Sequence, residues 1–211
     1  MDGIFVTLEG PDGAGKSTQA RMLADRLLDA GHTVVLTREP GGTSLGERVR
    51  EILLAETSQH DALVDALLFS AARRQLVRQV IEPALDAGSV VICDRFADST
   101  LAYQGYGAKA PLDSLWRLAD VATSGLQPDR TVLLELPVET GLKRRFQGEA
   151  ADLTRFETST DFDVAFHERV RAGFLELAAL ESERWRVVDA QGSEAKVADA
   201  VWAAVSDLFG E

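Results

Sequence analysis

The sequence predicts a parallel α/β sheet with right-handed crossovers. Three observations carry that prediction: short β-branched apolar runs, helix-patterned stretches between them, and a glycine-rich loop joining the first run to the first helix. The runs are Ile4-Phe5-Val6-Thr7-Leu8, Thr33-Val34-Val35-Leu36-Thr37, Val90-Val91-Ile92-Cys93, Thr131-Val132-Leu133-Leu134-Glu135-Leu136 and, more weakly, Trp185-Arg186-Val187-Val188. They are nearly continuous rather than alternating, as expected of parallel strands covered on both faces. Lys16 to Ala30 reads as the first helix, with Ala20, Leu23, Leu27 and Leu28 at helical spacing and Gly31 at the C-terminal cap. Asp61 to Ala87 reads as one long helix that Pro83 kinks and Gly88 ends. Further helices are expected over 112–123, 137–147, 161–183 and 193–209. No repeat, low-complexity tract or linker interrupts the pattern, so residues 1–211 are expected to form a single domain. The irregular polar stretch Gly148 to Thr160 is the candidate mobile loop, about 148–160.

Composition narrows the function. Of 211 residues, 45% are hydrophobic and 27% charged, which excludes a wholly disordered chain. No apolar run approaches the ~20 residues that cross a bilayer. The start, MDGIFVTLEG, has no basic n-region, so no secretory signal is expected. One cysteine, Cys93, permits no intrachain disulfide, and a cytoplasmic location is expected. Cys93 itself, on an apolar run, is expected to be inert packing. With 22 Lys+Arg against 34 Asp+Glu, the net charge of −12 argues against nucleic acid or a membrane as partner. Any phosphate chemistry must therefore use a few cations gathered in a local cleft, and most of the basic residues are arginines suited to that task.

The strongest motif is Gly10-Pro11-Asp12-Gly13-Ala14-Gly15-Lys16-Ser17, a match to G-x-x-x-x-G-K-[ST] between a strand and a helix. Its glycines let backbone N–H groups converge on phosphate oxygens, and the helix N-terminus adds partial positive charge. Lys16 is placed for the β- and γ-phosphates and the Ser17 hydroxyl for Mg²⁺. A second acidic element, Asp94-Arg95-Phe96, follows the third run. Asp94 is the candidate Mg²⁺ partner across the cleft, or else a cap for the next helix. Arg95 beside it is a candidate phosphate contact. Phe69 and Arg73 lie four apart and share a helix face, an aromatic surface with an adjacent donor suited to a planar base. Arginine only donates, so it would favour a carbonyl edge of a base over an exocyclic amine; taken alone, though, the pair reads as core packing for Phe69 and a solvated surface position for Arg73.

Six segments in order resemble the thymidylate kinase family: Glu9 to Ser17, Thr37-Arg-Glu-Pro-Gly-Gly-Thr43, Leu68-Phe-Ser-Ala-Ala-Arg73, Asp94 to Gly105, Gln127-Pro-Asp129 and Arg155-Phe-Glu157. The resemblance implies a P-loop NTPase-type three-layer sandwich, a five-stranded parallel sheet surrounded by helices, working as a homodimer. It implies transfer of the ATP γ-phosphoryl group to dTMP with Mg²⁺, and ATP binding by Gly10 to Thr18. It places Asp12 at the sugar 3′-hydroxyl and Arg38, Glu39 and Pro40 along the acceptor site. Phe69 would stack on thymine, Arg73 would bond its carbonyl edge, and Arg95 would grip the acceptor phosphate. Ser99, Thr100 and Gln104 would lie around the nucleotide, with Tyr103 under the sugar disfavouring a 2′-hydroxyl. Asp12, Lys16, Arg95 and Arg155 are the implied catalytic set. Arg155 is included because Gly13 offers no cation in the loop, as in the bacterial branch with a lid arginine; Lys143, Arg144 and Arg145 stand nearby in sequence.

Two positions depart from the family. Phe96 and Phe174 stand where relatives often carry a ring with a hydrogen-bonding group. His32, His60 and His167 lack metal-ligand spacing and are expected at the surface, and Trp116, Trp185 and Trp202 in the core or an interface. Another P-loop nucleotide or deoxynucleoside kinase remains open from the residues alone. A guanine-nucleotide switch is disfavoured, since no Asn-Lys-x-Asp is present.

Overall fold

A computed structural model describes residues 3–55, 61–147 and 164–210. The five apolar runs become strands β1 (Ile4–Glu9), β2 (Val34–Arg38), β3 (Val90–Asp94), β4 (Arg130–Glu135) and β5 (Trp185–Asp189). They join one sheet in the order β2-β3-β1-β4-β5, and every neighbouring pair is parallel. The apolar pattern is continuous where it should be: β1, β3 and β4 are central and buried along most of their length. β2 and β5 are edges, which leaves Leu36 45% and Val187 53% exposed. From β1 the chain crosses to β2 on one side, and from β3 to β4 on the other. The crevice at the carboxyl ends of β1 and β3 is therefore the place where such a sheet binds ligands.

Helix α1 (Lys16–Asp29) lies on one face of the sheet, and α9 (Glu194–Val205) packs beside it. Their Leu23, Leu27, Val197 and Val201 share a core with Val6, Leu8, Ile92 and Leu134. The other face is covered by α3 (Ala62–Leu76), α4 (Glu82–Asp86), α5 (Ala97–Thr100), α6 (Leu112–Thr123) and α8 (Val164–Leu180), with α7 (Val138–Gln147) following β4. Sidedness comes from the period-two pleat: Val6 and Leu8 of β1 face the first layer, and Phe5 faces the second with Leu76, Val91 and Phe96.

Four local features differ from the sequence expectation. The helix expected over 61–87 runs from residue 62 to 86 and widens just before Pro83. Residues 77–81 form a π turn in which the Glu82 N–H donates to Val77 O, one residue further back than in an α-helix. This relieves the clash that the proline ring would make with a carbonyl one turn earlier. A second π segment, Leu101–Gly107, continues α5 and carries Tyr103 and Gln104. Helix α2 (Ser44–Leu54) was not expected at all. Its signals are present: Thr43 accepts from Gly46 N as the N-cap, and Val49 and Leu53 are buried four apart. His167 is also not a surface residue; it is 5% exposed on α8 and stands edge-on to Phe166, 5.3 Å between centroids. His32 is half-buried against the Phe209 ring, and His60 lies outside the described residues. Trp185 is in the core, Trp202 stacks on Phe209, and Trp116 is partly exposed.

Candidate active site

The P-loop runs from β1 into α1 over the crevice. Gly13 has φ +76°, and a Cβ there would come within 2.0 Å of Gly141 O on α7. No side chain fits this position, so a cation cannot be carried there. Gly15 has φ +87°, and a Cβ would meet nothing within 4 Å. That glycine borders the open space in which phosphates would sit. Lys16 is buried and folds back on its own loop, donating to Gly10 O at 3.0 Å and Pro11 O at 2.8 Å. Burial, with the Arg95 charge, lowers its pKa to about 8, against the pull of Asp12 and Asp94. Gly10 and Pro11 thus hold the lysine, while Asp12 to Thr18 line the cleft itself.

The cleft is about 930 Å³, within the range of small-molecule sites. Among the described residues that line it, Lys16, Arg38, Arg50, Arg73, Arg95, Arg144 and Arg145 outnumber Asp12, Glu39, Asp94 and Glu194. A chain of net charge −12 therefore concentrates cations where two polyanions would meet.

At the centre, Arg95 donates to Asp12 at 2.6 Å, to Ser99 Oγ at 3.1 Å and to Tyr103 Oη at 3.3 Å. Tyr103 donates to the other Asp12 oxygen at 2.9 Å. Burial raises the Asp12 pKa, but Arg95, Lys16 and the tyrosine hydroxyl outweigh it and hold the carboxyl at about 2. Burial pushes the Tyr103 phenol well up, so it remains a donor at neutral pH. Across the cleft, α3 presents Phe69 and Arg73. Arg73 is 1% exposed, its Nε and Nη2 held by Glu39 Oε2 at 2.8 and 2.6 Å. Nη2 also reaches Phe96 O and Thr100 Oγ1, both at 3.1 Å. Nη1 is buried with no partner, a donor in want of an acceptor beside an aromatic wall.

The predicted set is largely brought together. Asp12, Gly13 to Thr18, Arg38, Glu39, Pro40, Phe69, Arg73, Asp94, Arg95, Ser99, Thr100, Tyr103 and Gln104 all line the one cleft. Glu39 acts chiefly on Arg73, and Arg38 pairs with Glu47 at 3.3 Å. Phe96 is buried edge-on to Phe5, and Phe174 edge-on to Tyr103, so both rings serve packing. Arg155 and the stretch 148–160 lie outside the described residues. Sequence reading missed Arg50, because it missed α2. It also missed the wall of Ala190, Gly192, Ser193 and Val197 after β5. Arg144 is fixed there, donating to Ala190 O at 2.9 Å and Gln191 O at 3.4 Å. The signal for this wall was weak: Gly192-Ser193 is a turn before a capped helix, with no phosphate pattern.

The Ser17 hydroxyl donates to the Asp94 carboxylate across the loop. Asp94 does not cap the next helix; Phe96 stands at that position. Two hard oxygens at the phosphate end of the cleft fit Mg²⁺, which takes one or two protein ligands and completes its shell with phosphate oxygens and water.

The chain matches known proteins along nearly its whole length. The family model described as thymidylate kinase matches residues 8–201. The thymidylate kinase of Thermomicrobium roseum is 50% identical over 205 residues, covering 97% of this chain and 95% of that protein. That of Deinococcus radiodurans is 49% identical, covering 97% of each. A crystal structure of thymidylate kinase from Ehrlichia chaffeensis superposes with a TM-score of 0.79 at 33% identity, covering 97% of this chain and all of that one.

Proposed function

This chain belongs to the thymidylate kinase family, and we propose that its cleft seats ATP along the P-loop and dTMP between Phe69 and Arg95. The reaction is transfer of the ATP γ-phosphoryl group to dTMP, giving dTDP and ADP for dTTP synthesis. One observation supports the placement of the acceptor above the others. The buried Nη1 of Arg73, the Phe69 ring and the Asp12–Arg95–Tyr103 cluster converge on one cleft with the P-loop.

The work of this site is positioning and charge neutralisation. Phe69 stacks on the thymine ring, and Arg73 Nη1 donates to O4. Tyr103 packs beneath the sugar, with Asp12 at the 3′-hydroxyl. Arg95 leaves Asp12 or shares it to bind the acceptor phosphate, whose oxygen is already ionised and needs no general base. Lys16 exchanges Gly10 and Pro11 carbonyls for phosphate oxygens, whose negative charge favours its ammonium form. Ser17 and Asp94 would hold Mg²⁺, which supplies charge neutralisation at the phosphates. Arg155 supplies the remaining transition-state cation from the 148–160 segment. Adenine lies against Arg144 and the wall at Ala190 to Ser193.

The chain acts as a single domain, in the cytoplasm, as a homodimer. Among the described residues no helix is long and apolar enough to cross a membrane. Adjacent α3 and α6 leave Leu67 50%, Trp116 38% and Val121 73% exposed, which supports a self-association face. A single-chain mass in sedimentation equilibrium at working concentration would end that part of the reading. For the acceptor site, the test is competition between dTMP and dCMP for the free protein. dTMP should bind with dCMP a poor competitor; equal competition removes Arg73 from base recognition.

A further inference from the structure

We propose that Glu9 is a positioning residue for acceptor-phosphate binding, holding the strained backbone of Arg95 and, through Ser99, the Arg95 guanidinium. The inference rests on the reading of Arg95 as the phosphate-gripping residue. Arg95 has φ +70°, the left-handed region that a non-glycine residue with a long side chain seldom enters unless its surroundings enforce it. Three bonds enforce it. The Arg95 N–H donates to Leu8 O at 3.0 Å, and the Cys93 thiol donates to Arg95 O at 3.0 Å. The next amide, Phe96 N–H, donates to Glu9 Oε1 at 2.7 Å. The other carboxylate oxygen, Oε2, accepts from Ser99 Oγ at 2.5 Å. With its proton committed to Glu9, the Ser99 oxygen is free to accept from Arg95 Nη1 at 3.1 Å. Backbone and side chain of one arginine are thus tied to the two oxygens of one carboxylate.

Glu9 ends β1, is fully buried, and does not line the cleft, so it acts only through its partners. A carboxyl in this place is otherwise unfavourable. Burial and the nearby Asp98 push it up to about 7, while Ser99, Arg95 and the Phe96 amide pull it down. Asp98 is itself engaged bidentately by Arg184, at 2.9 and 2.8 Å. Two acceptors at this reach are what the turn requires. Glutamine keeps the shape and can still accept from the Phe96 amide. Its NH₂ end, however, donates to Ser99 Oγ and competes there with Arg95 Nη1.

The experiment compares equilibrium binding of dTMP, thymidine and ATP to wild type, Glu9→Gln, Arg95→Ala and the double variant. Thymidine lacks the phosphate, so the ratio of thymidine to dTMP dissociation constants reads the phosphate grip alone. Glu9→Gln should weaken dTMP on the order of tenfold, the worth of one hydrogen bond to a charged group. Thymidine and ATP should bind as before, and Glu9→Gln should add nothing in the Arg95→Ala background. Equal weakening of all three ligands means a general structural role and overturns the proposal, as does an unchanged dTMP constant. If Arg95→Ala leaves the ratio unchanged, the reading of Arg95 fails, whatever Glu9 does. Should Glu9→Gln not fold, Ser99→Ala decides: loss of dTMP but not thymidine affinity supports the relay, and no loss overturns it.

Discussion

Arg73→Met should separate the stability of the acceptor site from its specificity. The guanidinium is buried, tied to Glu39 at 2.6 Å, and bonded to Phe96 O and Thr100 Oγ1. Removing it strands the Glu39 carboxylate in a buried place. Breaking one side of a buried pair costs about 3–5 kcal/mol. Burial already raises the Glu39 pKa, and Arg73 is what opposes it. Without Arg73 the folded pKa rises further above the unfolded one. The folded variant then binds the proton more tightly than the unfolded chain, so its stability falls as pH rises through the folded pKa and recovers toward acid. Adding Glu39→Gln removes the stranded charge and should restore most of the stability. It should not restore base selection, because Nη1 is gone. Losing a charged donor to thymine O4 costs about 1.5–3 kcal/mol, or roughly 10–150-fold in kcat/KM for dTMP, while dCMP changes little. Urea unfolding at acid and neutral pH reads the first effect, and coupled ADP release with dTMP and dCMP reads the second. A double variant that regains stability and still prefers dTMP by the wild-type margin would refute the role given to Arg73.

Three further outcomes follow from the same geometry. Lys16→Met should fold, since the lysine bonds only carbonyls of its own loop, yet nearly abolish transfer; turnover near wild type in the folded variant would remove Lys16 from phosphate binding. Tyr103→Ala should narrow the preference for deoxyribo- over ribonucleotide acceptors, measured as a kcat/KM ratio for dTMP and ribothymidine monophosphate; an unchanged ratio takes Tyr103 from beneath the sugar. Arg155→Ala should lower single-turnover transfer by roughly 10³–10⁵-fold with dTMP affinity little changed. A fall of about threefold or less would return Arg155 to the surface, where an ion pair is worth about 0–1 kcal/mol.

The central strands and the P-loop were legible because local pattern and tertiary role coincide there. Phe5 to Leu8 is buried on both faces and apolar but for Thr7, and Gly13 is glycine for reasons of φ and space, Gly15 for φ alone. Helix α2 was missed because it follows directly on the glycine-rich turn that holds its N-cap, although Leu45, Val49, Ile52 and Leu53 carry the apolar pattern; Arg50 was lost with it. The π turn before Pro83 follows from proline chemistry but has no periodicity to reveal it. His167 looked like an exposed histidine because its burial comes from segments distant in sequence. The same holds for Arg73: a helix face shared with Phe69 was readable, but the Glu39 pairing that fixes its guanidinium spans 34 residues. Glu9 belongs to the quoted family segment, and only the fold shows that its two oxygens grip residues 87 and 90 positions away.

The most direct test of the account is ADP release by the purified protein with ATP and Mg²⁺, measured across the common nucleoside monophosphates. The account predicts release that depends on added acceptor, with dTMP best, dUMP accepted less well, and dCMP and purine monophosphates poor. Release that proceeds equally without acceptor, or a kcat/KM for dCMP equal to that for dTMP, would contradict it.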